Sequence, residues 1–191
     1  MANFPTVFDP ALGQPQGPRH RSPRPFHLGP RVSREVEADI GPDQDGVNNI
    51  EPAANVANLD DFDDGSRLTS LADCQPATAE VLVAISPQAW NWFKTREQPA
   101  YLNVWIDSNR DGDWDDGFTC QSPTGQQADV VEHILIDQPI DVSALGAGLH
   151  PLTFQTDRVR WPAQLAIRPA SLRFTLSEQP SNKILVFGAI N

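Results

Sequence analysis

The sequence predicts an all-β fold, an antiparallel β-sandwich of immunoglobulin-like or jelly-roll-like build, on three observations. Short β-branched and aromatic runs recur from residue 76 onward, each closed by Gly, Pro, Asn or Asp. The 18 prolines among 191 residues leave little room for helix. The clearest run, Tyr101–Asp107, sets Tyr, Asn, Trp and Asp against Leu, Val and Ile in strict alternation, the period of a half-buried strand.

Taken in order, residues 1–34 are rich in Pro, Gly, Arg and Gln and read as an extended arm or linker. Five arginines face a single acid there, Asp9, and Phe4, Val7, Phe8 and Phe26 are apolar anchors for docking on a neighbouring domain. Residues 35–69 form an acidic lead-in, with ten acids and no Lys or Arg across 35–66. A basic arm beside an acidic belt can pair within one chain or between neighbours.

Residues 70–191 are the expected sandwich domain. Strands are predicted at Ala79–Ser86, Tyr101–Asp107, Val130–Ile136, Ile140–Val142 after a break at Pro139, Leu149–Gln155, Ser171–Ser177 and Lys183–Ile190. Helix finds a place only at Gln88–Thr95, for one turn or two.

Charge and hydropathy narrow the functional classes. A net charge of −11 argues against nucleic acid, whose phosphates need Lys and Arg. No run approaches the ~20 apolar residues of a membrane span. The N-terminus has neither the basic nor the apolar region of a signal peptide. An exported chain of this sequence would have lost its leader or be part of a longer protein.

The sharpest motif is Asp107-Ser-Asn109-Arg-Asp111-Gly-Asp113-Trp-Asp115-Asp116. Oxygen-bearing side chains fall on every second position, with Gly112 at the sixth, as in the first half of an EF-hand loop. Ca²⁺ takes about six to eight hard oxygens at about 2.3–2.6 Å, and alternate side chains converge when the backbone curls around the ion. Five carboxylates within these ten residues repel one another unless neutralised. Phe118 stands where the closing glutamate of an EF-hand would be, and the flank is a strand, so Asp116 or a carboxylate from elsewhere must complete the shell. A second, poorer candidate is Asp43, Asp45 and Asn48 around Gly46, and the cluster Asp60, Asp61, Asp63 and Asp64 could supply outer ligands.

Enzymatic signatures are missing. The histidines have no zinc spacing, the cysteines are not CxxC, and there is no nucleophile elbow or phosphate-binding glycine loop. Cys74 and Cys120 form either one disulfide or two buried thiols, and the extracellular character of the other features favours the disulfide. Trp90 and Trp92 have like parity on a short segment, which allows stacking on sugar rings.

The stretch YLNVWIDSNRDGDWDDG, Tyr101–Gly117, resembles the GEVED-type domain of secreted bacterial proteins. DQDGVNN at Asp43–Asn49 and LRFTLSEQ at Leu172–Gln179 are similar to its flanking segments, so the likeness spans roughly residues 35–180. It implies a sandwich-like, non-catalytic module of surface-anchored or adhesin-like proteins, with Asp107, Asn109, Asp111, Asp113 and Asp116 as ligands. The Gly-Glu-Val-Glu-Asp stretch that names the family is missing, and Phe187–Asn191 ends the chain instead.

The expectation is therefore a calcium-stabilised structural or adhesion module, extracellular or on a bacterial cell surface. Its partners would be copies of itself or other surface proteins, with a terminal segment able to exchange strands in a fibre or surface layer. A carbohydrate-binding module of an exported hydrolase, with glycans as partners, is the alternative.

Overall fold

The alternation that marks the strands in sequence is also what buries them. The computed structural model describes residues 8–9, 14–15, 25–32, 65–110, 114–121, 125, 127–164, 170 and 172–181. In chain order the first elements are β1 Phe8–Asp9, β2 Gln14–Pro15, β3 Phe26–Leu28, β4 Ser66–Thr69, β5 Gln75–Ile85 and α1 Pro87–Arg96. There follow β6 Ala100–Ile106, β7 Gly117–Gln121, β8 Gln127–Val131, β9 His133–Ile140, α2 Val142–Leu145, β10 Gly148–Val159 and β11 Leu172–Ser177.

These strands make a mostly-β fold of several small sheets with two short helices. The larger sheet runs β10-β5-β3, with β4 also on β5; the next runs β11-β6-β9; β1–β2 and β7–β8 are two-stranded. Among the described residues they do not close into a sandwich or barrel. The two larger sheets nevertheless share one core. β5 buries Ala77, Ala79, Val81, Val83 and Ile85, β6 buries Ala100, Leu102, Val104 and Ile106, and all belong to one apolar cluster.

β5 is the spine. β10 pairs antiparallel with it from Gly148↔Ile85 to Val159↔Gln75, with a register shift between Gln155 and Arg158. On the other edge two strands follow end to end, β3 against Val83–Ile85 and β4 against Thr78–Val81. Leu82 serves both ends: its carbonyl accepts from Gly29 N at 2.8 Å and its N–H donates to the Gly65 carbonyl at 2.6 Å. The arm of residues 1–34 thus contributes a core strand. Phe26 is buried edge-on against Phe93, with ring centroids 4.9 Å apart.

α1, at 10 residues, runs slightly past the expected one or two turns, and its start is well capped. Ser86 Oγ accepts from Ala89 N at 3.1 Å, and Pro87 supplies a preset φ in the first turn. Ala89 and Phe93 face the core.

The second sheet differs from expectation in three places. The predicted strand Val130–Ile136 is split at Glu132 into β8 and β9. β9 continues through Pro139 instead of breaking there, because β9 is an edge strand and a missing N–H costs least at an edge. Val142 begins α2, where Asp141 Oδ1 caps Ala144 N at 3.0 Å. The β7–β8 hairpin was not foreseen; it pairs Gly117↔Val131 through Gln121↔Gln127. Lys183–Ile190 and most of the acidic lead-in lie outside the described residues.

Cys74 and Cys120 are disulfide-bonded, with Cα atoms 5.4 Å apart, so the hairpin is tied to the segment leading into β5. Val130 and Phe118 pack around the bridge in a small second cluster.

Two stability outcomes follow from these joints. A Cβ on Gly65 would stand 1.9 Å from Gly29 N, so Gly65→Ala must push β3 from β4. It should cost about 1–3 kcal/mol in urea denaturation. An unchanged midpoint would mean that the strand ends do not abut. The bridge closes a separation of 46 residues. Its removal by Cys74→Ala/Cys120→Ala should lower stability by about 4 kcal/mol on the chain-entropy account.

Candidate metal centre

β6 delivers the acidic loop. The strand ends at Ile106, and the next two residues, Asp107 and Ser108, are each only 2 % exposed. Asp107 Oδ1 accepts from Arg110 N at 2.6 Å, which turns the chain back on itself and leaves Arg110 at φ 64°. Across the loop Asn109 Nδ2 donates to Asp116 Oδ2. Positions three and ten of the motif therefore meet.

The base of the loop is Glu132. Its carbonyl accepts from Ile106 N at 3.0 Å, and its N–H donates to the Asp116 carbonyl at 3.2 Å. Both ends of the acidic stretch are thus pinned to one residue. The Glu132 side chain is fully buried, with Oε1 accepting from Ser108 N at 2.7 Å. Among the described residues Oε2 makes no close hydrogen bond, although the Asp116 backbone N–H also acts on this carboxyl. Asp107 and Glu132 are the buried charged residues among the described ones, and both sit here. Burial pushes the Glu132 carboxyl up to about 7; the Asp107 and Asp116 carboxylates add to the rise, and the Ser108 and Asp116 backbone N–H groups oppose it.

Next to Glu132 on β9, His133 stacks on Trp105 at 4.1 Å with ring planes 12° apart. His133 Nε2 lies 2.7 Å from Oδ1 of buried Asn103, which also accepts from Asp137 N at 2.9 Å. Asn103 Nδ2 donates in turn to Asp137 Oδ1 at 3.1 Å. Burial drives the His133 imidazole down to about 4, so near neutrality it is the uncharged ring, donating through Nε2. This network fixes β9 beside the loop.

The predicted ligands are only partly brought together. Asn109 meets Asp116 side chain to side chain, and Glu132 reaches the Ser108 N–H next to Asp107. Asp115 is exposed. Asp111 and Asp113 lie outside the described residues, as do Asp43, Asp45, Asn48 and the Asp60–Asp64 cluster. Among the described residues no group of three or more His, Cys, Asp or Glu side chains is placed to hold a metal. The oxygens near the loop are carboxylate and amide oxygens, the kind of hard donor Ca²⁺ prefers.

Glu132 is the residue that motif spacing missed. Its signal was a lone acid in the apolar run Val130-Val-Glu-His-Ile-Leu-Ile136. The tryptophans are less open than their parity implied. Trp90 and Trp92 are half-buried, Trp90 Nε1 donates to the Ser143 carbonyl at 2.9 Å, and Lys94 and Arg96 each cover an indole face. At the loop, Arg110 lies over Trp161 and Arg173 over Trp114.

No protein family, curated protein or solved structure matches the chain significantly.

The His133 shift has a definite sign. A folded pKa of about 4 lies below the ordinary 6.5, so the unfolded chain takes up the proton first. The associated stability is complete above about pH 6.5 and is lost as pH falls through 4. Denaturation midpoints measured across that window should decline with falling pH in the wild type. His133→Gln should flatten the decline; an equal slope would assign it to other groups.

Proposed function

We propose that this chain is a non-enzymatic, calcium-stabilised structural or adhesion module of the bacterial cell exterior. Its sheets would complete a β-sandwich with residues outside the described set. The observation that carries the reading is the pair of buried acids, Asp107 and Glu132, gathered at the mouth of β6 beneath a carboxylate-rich loop. Charges withdrawn from water in this way cost several kcal/mol each unless compensated. Among the described residues no cationic side chain pairs with Glu132, and a divalent cation among the loop oxygens would supply the missing charge.

Other features support a structural role outside the cell. The Cys74–Cys120 bridge suits an oxidising compartment. β10 is a twelve-residue edge strand in its sheet, with Leu149 55 % exposed, which offers a template for strand addition by another copy. The segment Lys183–Ile190 is the candidate donor by sequence. The carbohydrate-binding alternative gains no support from Trp90 and Trp92, each of which is engaged within the fold.

Calcium at about a hundredfold excess over its dissociation constant should add about 2.7 kcal/mol. For a chain of this size that is a rise of about 5–10 °C in Tm. Asp107→Asn and Asp111→Ala should each lose most of the rise. Elemental analysis and calorimetry showing no bound Ca²⁺ in the native protein would remove the organising ion and the reading with it.

A further inference from the structure

We infer that Pro139 and Pro151 are gatekeepers of the sheet edges: each removes the outward N–H from an edge strand of one of the larger sheets and so opposes edge-to-edge joining with another copy. The inference needs no ion. Where it bears on β10 as a template for strand addition it rests on that reading and narrows it.

The direction of each proline follows from register. In an antiparallel ladder a residue turns its N–H and its carbonyl to the same side, and successive residues alternate. On β5, Leu82 accepts from Gly29 N and donates to the Gly65 carbonyl, so both its groups face β3 and β4. Ser86, of the same parity, likewise donates to the Pro25 carbonyl. Leu82 therefore turns away from β10, and its partner there is Pro151. In such a pair both residues turn their backbone groups outward, so the Pro151 nitrogen points to the side of β10 away from β5. Among the described residues no strand pairs with β10 on that side.

The same holds for Pro139 on β9. Ile106 N donates to the Glu132 carbonyl, so Ile106 turns away from β11. β6 pairs with β11 residue for residue from Ile106 to Tyr101, which keeps the alternation intact along β6. Tyr101, of opposite parity to Ile106, turns toward β11, and its β9 partner Pro139 turns outward. Both prolines are exposed, and both occupy places where the native ladder needs no N–H.

Their placement matches where protection is needed. Of the strands that end the larger sheets, only β9 and β10 expose a large apolar side chain among the described residues, Ile136 at 51 % and Leu149 at 55 %. Such side chains on an open edge invite pairing with other chains, and a nearby proline blocks it. Register shifts interrupt the same two strands, between Gln155 and Arg158 on β10 and opposite Leu102–Trp105 on β9. What β10 leaves to a donor strand is the stretch from Thr153 to Gln155, whose partners on β5 are Glu80 and Thr78.

Pro151→Thr restores the N–H without adding apolar surface. Sedimentation equilibrium of the oxidised full chain should show self-association about tenfold tighter than wild type, the worth of one regained hydrogen bond. Pro139→Thr should act likewise on the other sheet. Thr153→Val, which adds apolar surface beside Pro151 and leaves every N–H in place, should change little. Hydrogen exchange followed by NMR reads the direction itself. The amide that Pro151→Thr introduces should exchange freely in dilute monomer and become protected as copies associate.

Protection of that amide in the monomer, association no tighter than wild type in both folded proline variants, or an equal rise in Thr153→Val overturns the assignment. Failure of both proline variants to fold overturns it too, since the native strands then depend on the rings themselves. A wild type that stays monomeric while the proline variants associate upholds the gatekeepers and removes only the reading of β10 as a template.

Discussion

A carboxylate with no access to water, Glu132, is the constraint around which the second sheet is built. Its backbone holds β6 to the start of β7, and its side chain reaches under the loop that β6 delivers. The backbone N–H groups of Ser108 and Asp116 do not fully compensate a charge in that position. The chain has two ways out. It can keep the group protonated, for which the raised pKa near 7 is the signature, or it can place a cation beside it. The crowding of Asp107 and Asp116 around the same point favours the second, since protonating one acid leaves its neighbours still repelling. The proposed calcium ion would offset two of these charges at once, with oxygen donors alone.

How far the sequence foretold this differs from element to element. β6 was legible because its inward residues Leu102, Val104 and Ile106 alternate without interruption and lead straight into the acidic motif. α1 was legible as a site of helix, and its extent is set by the Ser86-Pro87 cap, which lies just outside the periodic stretch. Glu132 was not legible as a partner of Asp107, since ligand spacing is read along the chain and the hairpin breaks the count. β3 was hidden for a different reason. Its three residues sit in Pro- and Arg-rich sequence, and they become a strand only because β5 offers a free edge beside them. The predicted ligands Asp111 and Asp113 and the second motif at Asp43–Asn48 lie outside the described residues.

The aromatic residues repeat the lesson that parity does not decide exposure. Trp90 and Trp92 share a parity, but on a helix that spacing spreads them around the surface without aligning them as a platform. Each instead carries the cation four residues ahead, Lys94 and Arg96. Near the acidic loop the same device recurs. Arg173, drawn down to about 10 by burial, lies over Trp114, and Arg110 lies over Trp161. These cations lie over indole faces, and among the described residues no cationic side chain pairs with Glu132.

The β7–β8 hairpin ties these features into one mechanical argument. At its root, Glu132 and Asp116 fasten it to the β6 sheet. Further out, Cys120 fastens it covalently to Cys74, whose N–H donates to the Val159 carbonyl at the far end of β10 and whose neighbour Gln75 begins β5. The hairpin is therefore a strap joining the two larger sheets outside their common core. A strap transmits force only if both fastenings hold. One is a disulfide, indifferent to hydration. The other is a set of backbone bonds around a buried acid, which weakens whenever that acid is charged and uncompensated. An ion at the root would convert the weaker fastening into one comparable with the disulfide. A module of the proposed extracellular kind, in surroundings rich in calcium and poor in free thiols, would gain most from that combination.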